Sequence, residues 1–576
     1  MIKEYSQNRN NVIINFSIKY CKTSDELLSS FGFKKVLSKY IHILEKQDSL
    51  LIENLKTYVE GNLSDYLTNL FKLLIIMDVS KIEKEFKEYN SILESNSLLF
   101  EFIEGLYNYW RRLERYSLIQ SSNTNSGIQS INLVEANNNF SNLILKVYRK
   151  IEENIINKKH NVYRQLSAGI NAGIVLAENT QNLPNEYKVI NNVQFIKSIV
   201  LTPPLILFPK RNTRSGYFEE VFQNPIENLK LNKSHFFCFP AKVGDSLAFI
   251  YFHRDFMNLG ISLANLFELA TEEEFLNTKP NLVLVFGARL TGNPKKTVFY
   301  SDKKNDIYTG LISNTEEVDY FGYMKKIILT LHNIRMIDNN HLPIHGAMVH
   351  VVLKSGKTAN IVIVGDSGAG KSESLEAFRS VSKKYLKEMK IIFDDMGTFK
   401  ITNNQVYGYG TEIGAFVRLD DLESGYAFKK MDRAIFMNPG KVNSRVLIPV
   451  STYNEIMNGY KVDILLYANN YEKSKKAITI FEDKEKAKDV FVKALRKAKG
   501  TTSETGIVES FFANPFGPHQ RKEQTNKIID SVFSNLFDNN ILVGEIYTML
   551  AIDGYEQKGP KKVATKLFDW INETEL

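Results

Sequence analysis

From about residue 24 to 120, apolar positions recur every three or four residues, the period of a helix with one buried face. "SDELLSSFGFKKVLSKYIHILEKQ" (24–47) opens on Ser and Asp, which cap helix N-termini. "LLFEFIEGLYNYWRRLERY" (98–116) keeps the period, so Trp110, Arg111 and Arg112 are expected on a packed helix. "SSNTNSGIQSINLVEANNN" (121–139) is polar and predicts a loop. A helical stretch follows over 143–166. Near residue 190 the pattern changes. "FIKSIVLTPPLILFP" and "HFFCFPAKVGDSLAFIYF" are β-branched and aromatic runs broken by Pro and Gly. From "NLVLVFGARL" onward, strands and helices alternate. The expected fold class is α/β: an all-helical N-terminal domain (1–190), then a mixed α/β body (191–576).

Composition narrows the class. With 43% hydrophobic residues, 37 Phe and 28 Tyr, the chain has the material for a sizeable core. A net charge of +8 over 576 residues reads as a Lys-rich surface or a basic cleft for anionic metabolites, not nucleic-acid binding. Two cysteines, Cys21 and Cys238, exclude a disulfide framework and a Cys-based zinc site. The first residues lack the apolar core of a secretory leader. No run reaches the ~18 apolar residues of a membrane span. The expectation is a cytoplasmic protein without membrane contact.

The chemistry concentrates in "IVIVGDSGAGKSESLEAF" (361–378). Gly365, Asp366, Ser367, Gly368, Ala369, Gly370, Lys371 and Ser372 fit G-x-x-x-x-G-K-[ST]. Glycines let backbone N–H groups converge on phosphates, and a helix beginning near Lys371 turns its positive end toward them. Lys371 is expected on the outer phosphates of ATP and Ser372 on Mg²⁺. The metal also needs a carboxylate, and Asp394 and Asp395 end the apolar run of "MKIIFDDMG" (389–397).

Further motifs lie in order around that loop. "YFGYMKK" (320–326), "PIHGAM" with His345 nineteen residues after Lys326, Asp395, "NSRVLIP" with Arg445, "LLYANN" (465–470), "KGTTSETG" (499–506) and "FFANPFGP" (511–518) together resemble the ATP-dependent phosphoenolpyruvate carboxykinases over roughly 280–576. The resemblance implies a carboxykinase-like body, with a substrate-binding part over 191–330 and a phosphate-loop catalytic domain over 331–576. It implies Mn²⁺ on Lys326, His345 and Asp395, Mg²⁺ with ATP, and Lys325 and Arg445 on the substrate and the travelling phosphoryl group. A metal-ligating lysine must be neutral, which burial and a nearby dication favour. The implied reaction turns oxaloacetate and ATP into phosphoenolpyruvate, CO₂ and ADP. "GPKKVATKLFDWI" (559–571) resembles the family's terminal segment and suggests Lys562 on the nucleotide.

The sequence departs from the family at several points. Tyr323 stands where Glu is usual. The family's phosphate-touching Lys is replaced by Phe416, with Arg418 two residues on. The arginine that reads the substrate carboxylate has two weak candidates, Arg214 in "NTRSGYF" and Arg289 in "GARLTGNPKK". The 190-residue N-terminal domain has no counterpart, and a protein partner or self-association is one expectation for it. Two rival readings stand beside the first. The phosphate loop and "IHGAMV" also resemble HPr kinase/phosphorylase, which would make the chain a kinase with another acceptor. A nucleotide-binding sensor or scaffold without turnover is the third.

Overall fold

The computed structural model describes residues 3–121, 128–159, 163, 165–178, 181, 183–214, 218–289, 297–419, 422, 430–498 and 506–574. The fold is mixed α/β, with several sheets, and divides into two compact units. The first comprises Met1–Glu178 and Ile196–Thr202, the second Asn179–Phe195 and Pro203–Leu576. Among the described residues, no helix is long and apolar enough to cross a membrane.

The first unit is not all-helical. Tyr5–Asn8 and Asn11–Asn15 form a hairpin, and Asn11–Asn15 runs parallel to Glu114–Gln120, itself parallel to Ala172–Ala177. These strands were hidden for a physical reason. Glu114 and Arg115 are buried, so charge interrupts the apolar signal. Arg115 donates to the carbonyls of Trp110, Arg111, Leu113 and Gly169, closing the end of helix Asn96–Arg112. Trp110 is buried on that helix, as its spacing predicts. The loop expected over 121–139 is overturned from residue 128, where helix Ile128–Ile155 begins. Its polar run includes Asn137, buried and bonded to Ser117 Oγ at 2.8 Å, which masks the apolar stripe of Leu133, Phe140 and Leu143. The helix then stops at Ile155, short of the expected 166.

In the second unit, an eight-stranded sheet carries the chemistry. Leu342–Leu353 pairs antiparallel with Thr358–Val364 and Leu386–Thr402. Thr358–Val364, Ile464–Asn469 and Leu542–Tyr547 run parallel to one another. Both faces are covered, so these strands are apolar on both sides. Val362 and Val364 pack with Phe533 and Leu536 of helix Lys522–Asp538. Ile361 and Ile363 pack on the opposite face with Phe378 and with Phe568 of helix Lys558–Glu573. A smaller sheet orders Gly414–Arg418, Arg445–Pro449, Ile435–Met437 and Leu205–Leu207. Helix Phe321–Asp338, buried on nearly every side, spans the boundary expected at 330/331.

That helix is anchored at its far end by Asp245, which accepts from Arg335 at 3.3 Å and from Lys400 at 2.6 Å. Burial raises the Asp245 pKa, but His332, Lys400 and Arg335 outweigh it and bring it to about 2. A carboxylate held below its unfolded value stabilises the fold above pH ~4, and that contribution is lost as pH falls toward 2. Asp245→Asn is expected to cost about 1–2 kcal/mol at neutral pH. Urea melts should show the full gap at pH 7, about half of it near pH 3 and little of it near pH 2.

Candidate active site

The glycine-rich turn sits between the buried strand Thr358–Val364 and helix Lys371–Tyr385. Gly368 and Gly370 have φ of +79° and +111°, and a Cβ on Gly370 would meet Leu550 and Thr548 at 2.7–2.9 Å. Glycine is therefore required at Gly370. The turn is held from beneath. Asn470 Nδ2 donates to the Gly368 carbonyl and Thr548 Oγ1 to the Ala369 carbonyl, each at 2.9 Å. The Asp366 carboxylate accepts from the Ser367 N–H at 2.7 Å and from Arg496 Nε at 3.0 Å. The first N–H groups of helix Lys371–Tyr385 have no partner within the helix, which makes its start an anion site. Lys371 Nζ donates to the Gly365 carbonyl at 2.8 Å, and Ser372 Oγ donates to Asp394 at 3.0 Å.

Helix Phe321–Asp338 and two strands bring Lys325, Lys326, His345 and Asp395 together. The ladder sets Gly346 opposite Asp395 and His345 opposite Met396. Asp395 Oδ2 receives Lys325 at 2.8 Å and Lys326 at 2.6 Å, and its Oδ1 lies 2.8 Å from His345 Nε2. Asp395 holds φ at +121°, a strained value for a residue with a side chain. Its carboxyl is held well below the usual range: burial raises it, but Lys325, Lys326 and His345 prevail. Two adjacent lysines diverge. Burial works against charge on Lys325, yet Asp395 and Glu412 outweigh it and raise its pKa. Burial dominates at Lys326 and brings it to about 8.

These residues fit a divalent cation on one specific observation. His345 Nδ1 lies 2.7 Å from the Ala513 carbonyl, which only accepts, so Nδ1 carries a proton. Burial and Lys371 lower the His345 pKa, which favours the neutral ring. The Nε2 lone pair then faces a carboxylate oxygen 2.8 Å away, a pair of acceptors that either a shared proton or a divalent cation bridges, with Lys371 Nζ 3.4 Å from the same nitrogen. Lys326 supplies a third donor once deprotonated. Among the described residues, no group of three His, Cys, Asp or Glu is arranged to hold a metal, so the candidate set depends on that lysine.

The cleft over these groups encloses about 200 Å³ and is lined by six cations, Arg214, Lys325, Lys326, Lys371, Arg418 and Arg445, against Glu373, Asp394 and Asp395. That excess suits a polyanion. Arg418 lies directly opposite Arg445 in the strand ladder, an arrangement that repels unless an anion is shared. Arg445 also lies over the Phe416 ring at 5.6 Å, and its buried Nε has no hydrogen-bond partner among the described residues. Phe416 and Arg418 share one face of their strand, so Arg418 brings charge to the cleft where Phe416 has none.

No protein-family model and no curated protein matches this chain.

The structure separates the other sequence candidates. Arg214 lines the cleft, 5.0 Å over the Phe516 ring. Arg289 is exposed at the end of strand Leu282–Ala288 and is not part of the cleft lining, and Thr291 and Gly292 lie outside the described residues. Lys562 is exposed and donates to the Lys475 carbonyl at 2.8 Å, apart from the cleft lining. Of "KGTTSETG", only Gly506 is described. Tyr323 is buried on its helix. Sequence reasoning missed Glu412, whose carboxylate accepts from Lys325 at 3.0 Å and whose pKa burial raises to about 7. It also missed Arg496 and Thr548, which come from distant segments and carry no local motif, while Asn470 ends the quoted "LLYANN" without a role read for it. The Gly spacing in "TEIGAF" was the one signal near Glu412.

Asp366 and Arg496 form an ion pair with side chains only 7% and 3% exposed. Asp366→Ala removes a buried carboxylate from a buried guanidinium, and is expected to cost about 3–5 kcal/mol. Chemical denaturation measures it; a loss under 1 kcal/mol would mean that the turn does not depend on the pair.

Proposed function

We propose that the chain is an ATP-dependent phosphoenolpyruvate carboxykinase, converting oxaloacetate and ATP to phosphoenolpyruvate, CO₂ and ADP. The observation that carries the reading is the convergence of Lys326, His345 and Asp395 beside Lys371 and Ser372. A phosphotransferase needs the second group alone. A carboxykinase also needs a cation site where an enolate oxygen forms. The fold that this reading implies is a carboxykinase-like body with a phosphate loop, with the first unit as an addition of its own.

The residues divide the work. N–H groups of the turn and the start of helix Lys371–Tyr385 bind the phosphates of ATP. Lys371 exchanges the Gly365 carbonyl for a phosphate oxygen. Ser372 and Asp394, paired at 3.0 Å, would hold the Mg²⁺ that accompanies the nucleotide. Lys326, His345 and Asp395 would hold a divalent cation, Mn²⁺ by the family likeness. Its chemistry when bound is to stabilise negative charge on the enolate oxygen and the γ-phosphate. Lys325 stays protonated and, with Arg418 and Arg445, offsets the charge on the travelling phosphoryl group. Arg214 is the candidate for the substrate carboxylate. No base is required, because loss of CO₂ itself generates the nucleophile.

Purified protein given oxaloacetate, ATP, Mg²⁺ and Mn²⁺ is expected to form phosphoenolpyruvate. Lys371→Ala and His345→Ala should each lower the rate at least about 100-fold. Hydrolysis of ATP without phosphoenolpyruvate would reject the carboxykinase and leave a kinase with another acceptor.

A further inference from the structure

The first unit contains a cavity that none of the chemistry above uses. It encloses about 100 Å³ between the hairpin strands and the surrounding helices, and lies wholly within that unit. Val36, Phe71, Ile103, Leu106, Val147 and Ile151 form its wall. Its polar side chains are already engaged. Trp110 Nε1 donates to the Ala168 carbonyl, Tyr107 to the Leu166 carbonyl, Tyr148 to Glu104 and Ser30 to the Leu27 carbonyl. The Cys21 thiol faces the Glu26 carbonyl. None of these asks anything of a ligand.

Two charges in the lining are different. Glu4 is half-buried and Lys19 is exposed, and neither side chain forms an ion pair or hydrogen bond among the described residues. An apolar pocket takes hydrocarbon groups, whose burial is favourable. The lining therefore combines an apolar volume for about four to six carbons with one anion and one cation.

We propose that the first unit binds a small zwitterion with an apolar body, the class of a free aliphatic amino acid. The side chain fills the cavity, the ammonium meets Glu4 and the carboxylate meets Lys19. Burial of the body provides most of the affinity, and the two charges select the head. The inference stands apart from the proposed carboxykinase reaction.

Trp110 lines the cavity, and the chain has one other tryptophan, so fluorescence titration of the full-length protein reports binding. The probes are L-leucine, 4-methylpentanoate (no ammonium), 3-methylbutylamine (no carboxylate) and benzene (no head). Leucine is expected to bind about tenfold tighter than either single-headed analogue. Glu4→Gln and Lys19→Gln, both away from the buried wall, should each remove about that factor. Ile103→Phe should fill the cavity and abolish the signal. Equal affinity for all four probes would overturn the zwitterion, and no binding by any probe would overturn the site. Leucine binding that survives Ile103→Phe would place the ligand elsewhere and also overturn it. Phosphoenolpyruvate formation measured on the same variants keeps this test separate from the catalytic reading.

Discussion

One carboxylate organises the candidate active site. Asp395 accepts from Lys325 and Lys326 and faces His345 within 3 Å, from a backbone position strained at φ +121°. The antiparallel ladder on Leu342–Leu353 holds that strain in place. The consequence is a division of labour between neighbours on one helix. Lys325, bridged between Asp395 and Glu412, keeps its proton. Lys326, buried beside a second cation, gives its proton up readily. Removing the carboxylate would leave Lys325 with Glu412 alone and take from Lys326 its ion-pair partner, which is the costly way to break such a network.

The rest of the second unit holds this cluster against the turn. Parallel strands Thr358–Val364, Ile464–Asn469 and Leu542–Tyr547 end together, and the residues beyond those ends do the positioning: Gly365 to Gly370, Asn470 and Thr548. Ligand sites in open α/β sheets favour that carboxyl edge. Because both faces of the sheet are packed, the ends are rigid and the turn is preorganised.

Much of the site was legible because its chemistry needs residue types at fixed short spacings. Gly365 to Ser372 could be read as a phosphate loop without any partner, since strand, turn and helix are contiguous. The Lys326–His345 spacing was legible only through likeness to a family. Glu412, Arg496 and Thr548 were not legible, nor was the role of Asn470 within "LLYANN", because each acts across a contact distant in sequence. The same limit hid the sheet of the first unit. Its strands are short, Asn11–Asn15 pairs with Glu114–Gln120 across about a hundred residues, and the latter carries the buried charges of Glu114 and Arg115. Polar Asn137 likewise disguised a helix as a loop, because burial of an amide is visible only once Ser117 is beside it.

The most direct test of the central claim is Mn²⁺ binding followed by electron paramagnetic resonance, without nucleotide, near pH 8. The account predicts one tightly held Mn²⁺ per chain, with an imidazole nitrogen in its coordination that disappears in His345→Ala. Asp395→Asn should abolish the bound signal while ATP still binds. Mn²⁺ binding unchanged in both variants, or no bound Mn²⁺ in the native protein, would contradict the account.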